Sequence, residues 1–148
     1  MKHKAQGGAA AVEFALVFPI FLVLVFAIVE FGAIFFDKAV ITNASREAAR
    51  AGVVLKTPKL NALDVETVAR RYWGQTAGAD GAWEGPSRLI GFDPSNVLDV
   101  TVTGAEENFG MPLTVTVEYE YNWLVLGPLI GLVAGPVNLS ATTVMNNE

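Results

Sequence analysis

Cysteine is absent from this 148-residue chain, so disulfides, a lipid-modified cysteine and thiolate metal sites are all excluded. Stability outside a reducing compartment would have to come from packing and partners. Histidine is nearly absent: His3 stands alone at the amino-terminal edge. Ser–His or Cys–His nucleophilic chemistry and His-based metal ligation therefore have no residue to use in the body of the chain. Basic residues are scarce in the second half, where residues 80–148 carry nine carboxylates against Arg88 alone. Such a surface is unsuited to nucleic acid. The glycines between Gly74 and Gly91 form neither G-x-x-x-x-G-K-[ST] nor a dinucleotide fingerprint. Asp93-Pro-Ser-Asn96 with Asp99 lacks the glycine and terminal glutamate of an EF-hand loop and is read as a turn before a strand. Glu118 and Glu120 alternate with threonines, as on a solvated sheet face, and not as a glycosidase pair. No catalytic residue, cofactor or metal site is expected, and the chain is read as a non-enzyme.

What the sequence does have is one long apolar run. After Met1-Lys-His-Lys4 and Gly7-Gly8, every residue from Phe14 to Val29 is apolar, and beyond Glu30 and Gly32 the run resumes to Phe36. This is long enough to span a bilayer core of about 30 Å. Lys2 and Lys4 precede the run and no acid comes before Glu13, so the positive-inside bias keeps the start cytoplasmic and the bulk of the chain outside. A secretory signal peptide would carry a shorter apolar core and an Ala-x-Ala-like site after it, which is missing.

Two carboxylates interrupt this segment. On a helix, Glu13 and Glu30 stand about 26 Å apart, so both can lie near an interface. Glu30 is expected as an outer-edge residue reaching headgroups or the start of the soluble domain, in preference to a specific pairing role. Glu13 has a different logic. If the chain is cut after Gly8, Ala9 becomes a free amino terminus, and Glu13 lies one helical turn on, where its charge suits the helix dipole and a neighbouring ammonium. Pro19 removes one helical hydrogen bond, to the carbonyl of Ala15, and marks a kink or a packing position. Gly32, Ala33 and Ala27 offer small surface for helix contact, but no Gly-x-x-x-Gly is present.

At these residues the chain resembles the type IV prepilins. A short basic leader ends at Gly8, Ala9 to Val12 follow, and Glu13 is the fifth mature residue before an apolar helix. More narrowly, Gly8 to Pro19, Val29 to Gly32 and Ala44 to Gly52 resemble the TadE-like pilins of the tight-adherence, or Flp, pilus system. The resemblance covers about the first third of the chain. It implies cleavage between Gly8 and Ala9 by a prepilin peptidase, with Glu13 and the adjacent Phe14 serving recognition or subunit assembly. Gly7 offers a second glycine, but cutting there would move Glu13 to the sixth mature position. The partners implied are the major Flp pilin, a TadF-like minor pilin, an assembly ATPase with its platform proteins, and membrane lipids, with no nucleic acid. The function implied is that of a minor pilin or pseudopilin in pilus assembly or priming, and thereby adhesion. The alternative is an uncleaved single-pass binding protein that keeps Met1 to Gly8. A membrane-tethered hydrolase would need an acid/base pair that these residues do not supply.

The remainder is expected as one modest domain. Residues 1–8 form the leader, 9–36 the membrane helix, and 37–148 an extracytoplasmic α+β domain that includes the helix's continuation to about residue 54. Val40, Ala44, Ala48 and Ala51 form the apolar stripe of that continuation, with the pair Glu47–Arg50 on a solvated face. Asn61 caps a second helix running to about Trp73, whose apolar face is Val65, Val68, Ala69 and Tyr72. Residues 74–95 read as a long loop anchored by Trp83 and Ile90. Val97–Val102 and Leu113–Tyr121 alternate as a hairpin joined by Gly104–Pro112, and Val137–Met145 adds a third strand. Trp123–Ala134 is too short and too broken by glycine and proline for a second span. It is read as a buried or interfacial turn of helix, with a membrane-dipping loop as the alternative. The fold class is α+β and pilin-like: a long amino-terminal helix on a three- or four-stranded antiparallel sheet.

Overall fold

Alanine-rich sequence with no proline between Pro19 and Pro58 favours one uninterrupted helix through the first third of the chain. In the computed structural model that helix, α1 (Gln6–Val53), is 48 residues long and runs through Pro19. The structure describes residues 6–78, 83–84, 87–90, 98–130 and 135–148. The basic residues expected to open a leader thus lie outside the described residues, while Gln6 to Gly8 are helical.

Burial along α1 begins at Glu30. No residue from Gly8 to Val29 is buried, whereas Glu30, Ala33, Asp37, Ile41, Ala44, Ser45, Ala48, Ala49 and Val53 are. Their three- and four-residue spacing traces one face of a helix. The stripe is centred on Ile41, Ala44 and Ala48, with the expected Val40 and Ala51 half-buried at its borders. It is wider than expected because the sheet and a second helix both cover it. That second helix, α2 (Ala62–Tyr72), starts in a capping box: the Asn61 side chain accepts from the Asp64 N–H, and Asp64 accepts from the Asn61 N–H. Two donors that a helix start leaves open are thereby satisfied. Val65 and Ala69 are fully buried, and Trp73, expected only as the helix's end, is a core residue.

Gly52 is a point of close packing between α1, Val65 of α2 and Leu113. A Cβ there would lie 2.5 Å from Leu113 Cδ2 and 2.8 Å from Val65 Cγ2, whereas one at Gly32 would meet nothing within 4 Å. Gly52→Ala is therefore expected to destabilise the domain in denaturant titration. Overpacking of about 1–3 kcal/mol outweighs the helix-propensity gain of about 1 kcal/mol. Gly32→Ala should show no such loss.

The main sheet contains β3 (Leu98–Thr103), β4 (Pro112–Tyr121) and β5 (Val137–Asn146), in the order β3-β4-β5 and antiparallel throughout. Alternation sets its faces: Leu113, Val115, Val117, Tyr119 and Tyr121 are buried, and the threonines and glutamates between them are not. Gly104, at the β3–β4 turn, has φ +79°, and a Cβ there would sit 2.1 Å from the Pro112 carbonyl oxygen, so only glycine fits. Within the segment expected as loop, β1 (Thr76–Ala77) and β2 (Trp83–Glu84) pair as a separate two-stranded ribbon. Its Trp83 ring lies under the Arg70 guanidinium at 4.8 Å, an attraction between cation and π-face that glycine spacing does not reveal. The turn expected at residues 93–96 lies outside the described residues. In the segment 123–134, a short turn of helix, α3 (Gly127–Ile130), is present, and residues 131–134 lie outside the description.

The strands have a fixed direction relative to α1. Leu113 packs at Gly52 and the Tyr121 hydroxyl reaches Glu30, so β4 runs antiparallel to the helix. β5 returns alongside it, with Lys38 Nζ donating to the Ser140 carbonyl and Ser45 Oγ 2.8 Å from Thr143 Oγ1. At the far end, Asn147 is buried, donates to the carbonyls of Gly104 and Met111, and accepts from Lys59 Nζ. The next residue, Glu148, donates its N–H to the Val53 carbonyl and so ties the chain's end to the end of α1.

Candidate anchoring and assembly site

The amino-terminal half of α1 is a long, exposed apolar surface. From Gly8 to Val29 the helix has 22 residues, about 33 Å of rise, close to the thickness of a bilayer core. The segment Gly8–Val53 contains an 18-residue window with mean hydropathy 2.8 and none of it buried. A contiguous apolar surface of this size calls for lipid or another protein to cover it. Burial by the domain starts at Glu30, inside the stretch 9–36 expected to span the membrane, while Phe31, Phe35 and Phe36 stay exposed.

The residues singled out from the sequence fall into two groups. Gly8, Ala9, Glu13 and Phe14 are all exposed at the start of the free half, with Ala9 and Glu13 one turn apart on one face. Phe14 stacks on Phe18, ring centroids 5.1 Å apart. Pro19 lies within continuous helix, and Gly32 faces open space. Among the described residues no second element packs on this group, which leaves it available for lipid or another subunit.

Glu30 belongs to the other group: of the two reaches expected for it, headgroups or the soluble domain, the contacts present are with the domain, and they are specific. Glu30 is 1% exposed. The Tyr121 hydroxyl donates to Oε1 at 2.7 Å, the Leu124 N–H donates to Oε1 at 2.8 Å, and the Val125 and Leu126 N–H groups donate to Oε2 at 2.8 and 3.1 Å. Four donors on one carboxylate satisfy a buried charge that otherwise would be costly. They also pin the end of β4 and the segment leading to α3 onto α1. Burial, and next to it the Glu30 carboxylate, push the Tyr121 phenol well above its ordinary range.

Two turns further along, Asp37 is fully buried. Its Oδ1 accepts from the Ile90 N–H at 2.8 Å, and its Oδ2 has no partner among the described residues. Burial pushes its carboxyl up to about 6, with the Ile90 N–H pulling the other way. Alternation marks Tyr121 only as a strand residue, and no motif marks Asp37. The available signal was the position of Asp37, seven residues and two helical turns after Glu30, which puts both acids on one face.

The acids elsewhere form no comparable site. Glu47 and Arg50 pair at 2.8 Å on an exposed surface, where such a pair contributes little. Glu66 and Arg70 pair at 2.7 Å beside Trp83. Glu118 is exposed on the outer sheet face, opposite Asp99 and Ser140 in register. Among the described residues no group of three or more His, Asp or Glu is arranged to hold a metal ion.

Comparison with known proteins adds one match. A sequence model of the family described as TadE-like protein matches residues 8–50. No curated protein and no solved structure gives a significant match. The matched range starts at Gly8, takes in the whole exposed half of α1 with Glu13, and continues through Glu30 and Asp37 to Arg50. Over residues 8–50, the chain thus carries a TadE-like amino-terminal segment, joined to the domain that Glu30 holds in place.

Proposed function

We propose that this protein is a minor pilin, or pseudopilin, of a Flp-type (type IVc) pilus. It would be cut between Gly8 and Ala9 by a prepilin peptidase, held in the bacterial cytoplasmic membrane by α1, and used in pilus assembly or priming, and thereby in adhesion. The observation that carries this reading is the 22-residue apolar half-helix free of the domain, with Glu13 near its start, inside the TadE-like match. A helix of this kind has two uses in sequence. In the bilayer, lipid covers it. In a pilus, the same faces of neighbouring subunits cover one another.

Glu13 would direct the exchange. After cleavage, the Ala9 ammonium of one subunit and the Glu13 carboxylate of its neighbour attract strongly at the membrane's low dielectric. Each charge is poorly solvated until the other arrives, which favours one axial register over others. The span on this reading starts at Ala9 and takes in the free helix to Val29, with the amino terminus cytoplasmic and the domain outside. The partners are the prepilin peptidase, the major Flp pilin, a TadF-like minor pilin and the assembly platform with its ATPase. The role is non-catalytic.

Intact mass of the membrane-extracted protein, from strains with and without the prepilin peptidase, tests the reading. Loss of Met1 to Gly8 is expected only where the peptidase is present. The same full-length mass in both strains would favour an uncleaved, membrane-anchored binding protein. Glu13→Ala is expected to remain in the membrane fraction yet reduce piliation, counted by electron microscopy. Normal piliation would remove Glu13 from the assembly step.

A further inference from the structure

The direction of the strands places one connection of the sheet at the end nearest the free half of α1. Because β4 passes from Gly52 toward Glu30, the chain leaves it at Tyr121 heading toward the apolar half-helix. β5 starts back from the same level, since Val137 pairs with Tyr121. The connecting residues 122–136 contain no charged residue. The connection at the other end of the sheet carries Glu106 and Glu107, so Phe109 and Met111, also exposed there, stand among charges. The two connections are thus chemically distinct.

At the near end, Leu124 is 44% and Val125 37% exposed, and on α1 Phe31 and Phe35, immediately beyond the Glu30 level, are 54% and 69% exposed. An irregular backbone at a membrane surface is costly where its N–H groups lack partners. Here the N–H groups of Leu124, Val125 and Leu126 are all taken up by Glu30, and Pro128 has none to satisfy. With their backbone satisfied inward, Leu124 and Val125 can present side chains to an apolar layer without that penalty.

We propose that Leu124 and Val125, with Phe31 and Phe35, form a foot that seats the domain in the interfacial layer of the bilayer, with Glu30 fixing its height. The occupant of this surface is lipid, because the patch continues the exposed apolar surface of α1 at the point where Glu30 follows Val29. The foot limits tilt of the domain against the membrane and leaves the bilayer together with the helix. This inference rests on the anchoring part of the proposed function.

The cysteine-free sequence allows a direct test with single-cysteine variants of the full chain. Leu124→Cys and Val125→Cys carry an environment-sensitive fluorophore in phosphatidylcholine–phosphatidylglycerol vesicles containing lipids spin-labelled near the headgroup or deep in the chain. Phe21→Cys, within the free half-helix, and Val144→Cys, exposed near the opposite end of the sheet, serve as references. The labels at 124 and 125 are expected to lose most of their emission to the shallow quencher, the label at 21 to the deep one, and the label at 144 to neither. Quenching at 21 with 124 and 125 behaving like 144 would overturn the foot and leave the anchor standing. Absence of quenching at 21 would overturn both. Labels at 124 and 125 that respond only on assembly into pili would reassign the patch to a subunit contact and likewise overturn the foot.

Discussion

Glu30→Ala is expected to destabilise the domain by about 3–5 kcal/mol, the scale found when one partner of a buried charged network is removed. The carboxylate accepts four hydrogen bonds within a site only 1% exposed. Its removal leaves the Tyr121 hydroxyl and three consecutive backbone N–H groups without an acceptor. Each such orphan costs about 1–3 kcal/mol if it stays dry, and partial entry of water keeps the total below their sum. Tyr121→Phe removes a single donor and should cost about 1–2 kcal/mol. Chemical denaturation of the full chain in detergent micelles, followed by near-UV circular dichroism, would measure both. The double variant should be less destabilised than the two singles added together, because the hydroxyl has no partner to lose once Glu30 is gone. Strict additivity, or a Glu30→Ala cost below about 1 kcal/mol, the value of an ordinary hydrogen bond, would mean that the four contacts are not held in solution.

Asp37→Asn is expected to act in the opposite direction at neutral pH. The folded-state pKa of Asp37 is raised from 3.8 to about 6 because burial disfavours the charged form. The folded state therefore favours the protonated acid. That contribution to stability is fully present below the unfolded pKa and is lost as pH rises through about 6. At pH 7 the parent holds a buried carboxylate with one oxygen unpartnered among the described residues, a penalty of up to about 3 kcal/mol. A neutral asparagine of the same shape avoids it. Unfolding free energies measured from pH 4 to pH 8 should show the variant gaining on the parent as pH rises, with the difference fading toward pH 4. Parallel profiles would mean that Asp37 keeps an ordinary pKa in the fold. Its neighbour Lys38 donates to the Ser140 carbonyl and no ion pair to Asp37 is present among the described residues, so the chain supplies no compensating cation from that side.

Much of the architecture was legible because it rests on local rules. The Asn61–Asp64 spacing is enough to specify a capping box, and alternation from Leu113 to Tyr121 is enough to assign each side chain to a face. Gly52 stands one residue before the end of α1, where a glycine suits a helix end, but its reason is a tertiary one. It admits Leu113 and Val65 at distances no Cβ would allow, and those partners are 13 and 61 residues away in sequence. The ribbon of β1 and β2 was missed because two-residue strands carry no periodicity, and Trp83 is held there by Arg70 across the chain. Glu30 is the instructive case. Its neighbours in sequence are apolar, so a bilayer edge was the natural reading, yet its four hydrogen-bond partners lie 91 to 96 residues away.

By itself, the sequence determined the long apolar helix, the position of Glu13 relative to Gly8 and the α+β class, because each depends on composition, spacing or period within a short window. Where the free helix ends and the domain begins was decided only by tertiary structure. A glutamate in an apolar run looks the same whether it meets water, lipid headgroups or a folded chain. Its environment is set by residues 121–126 arriving from the far side of the sheet, and only the direction of β4 against α1 brings them there.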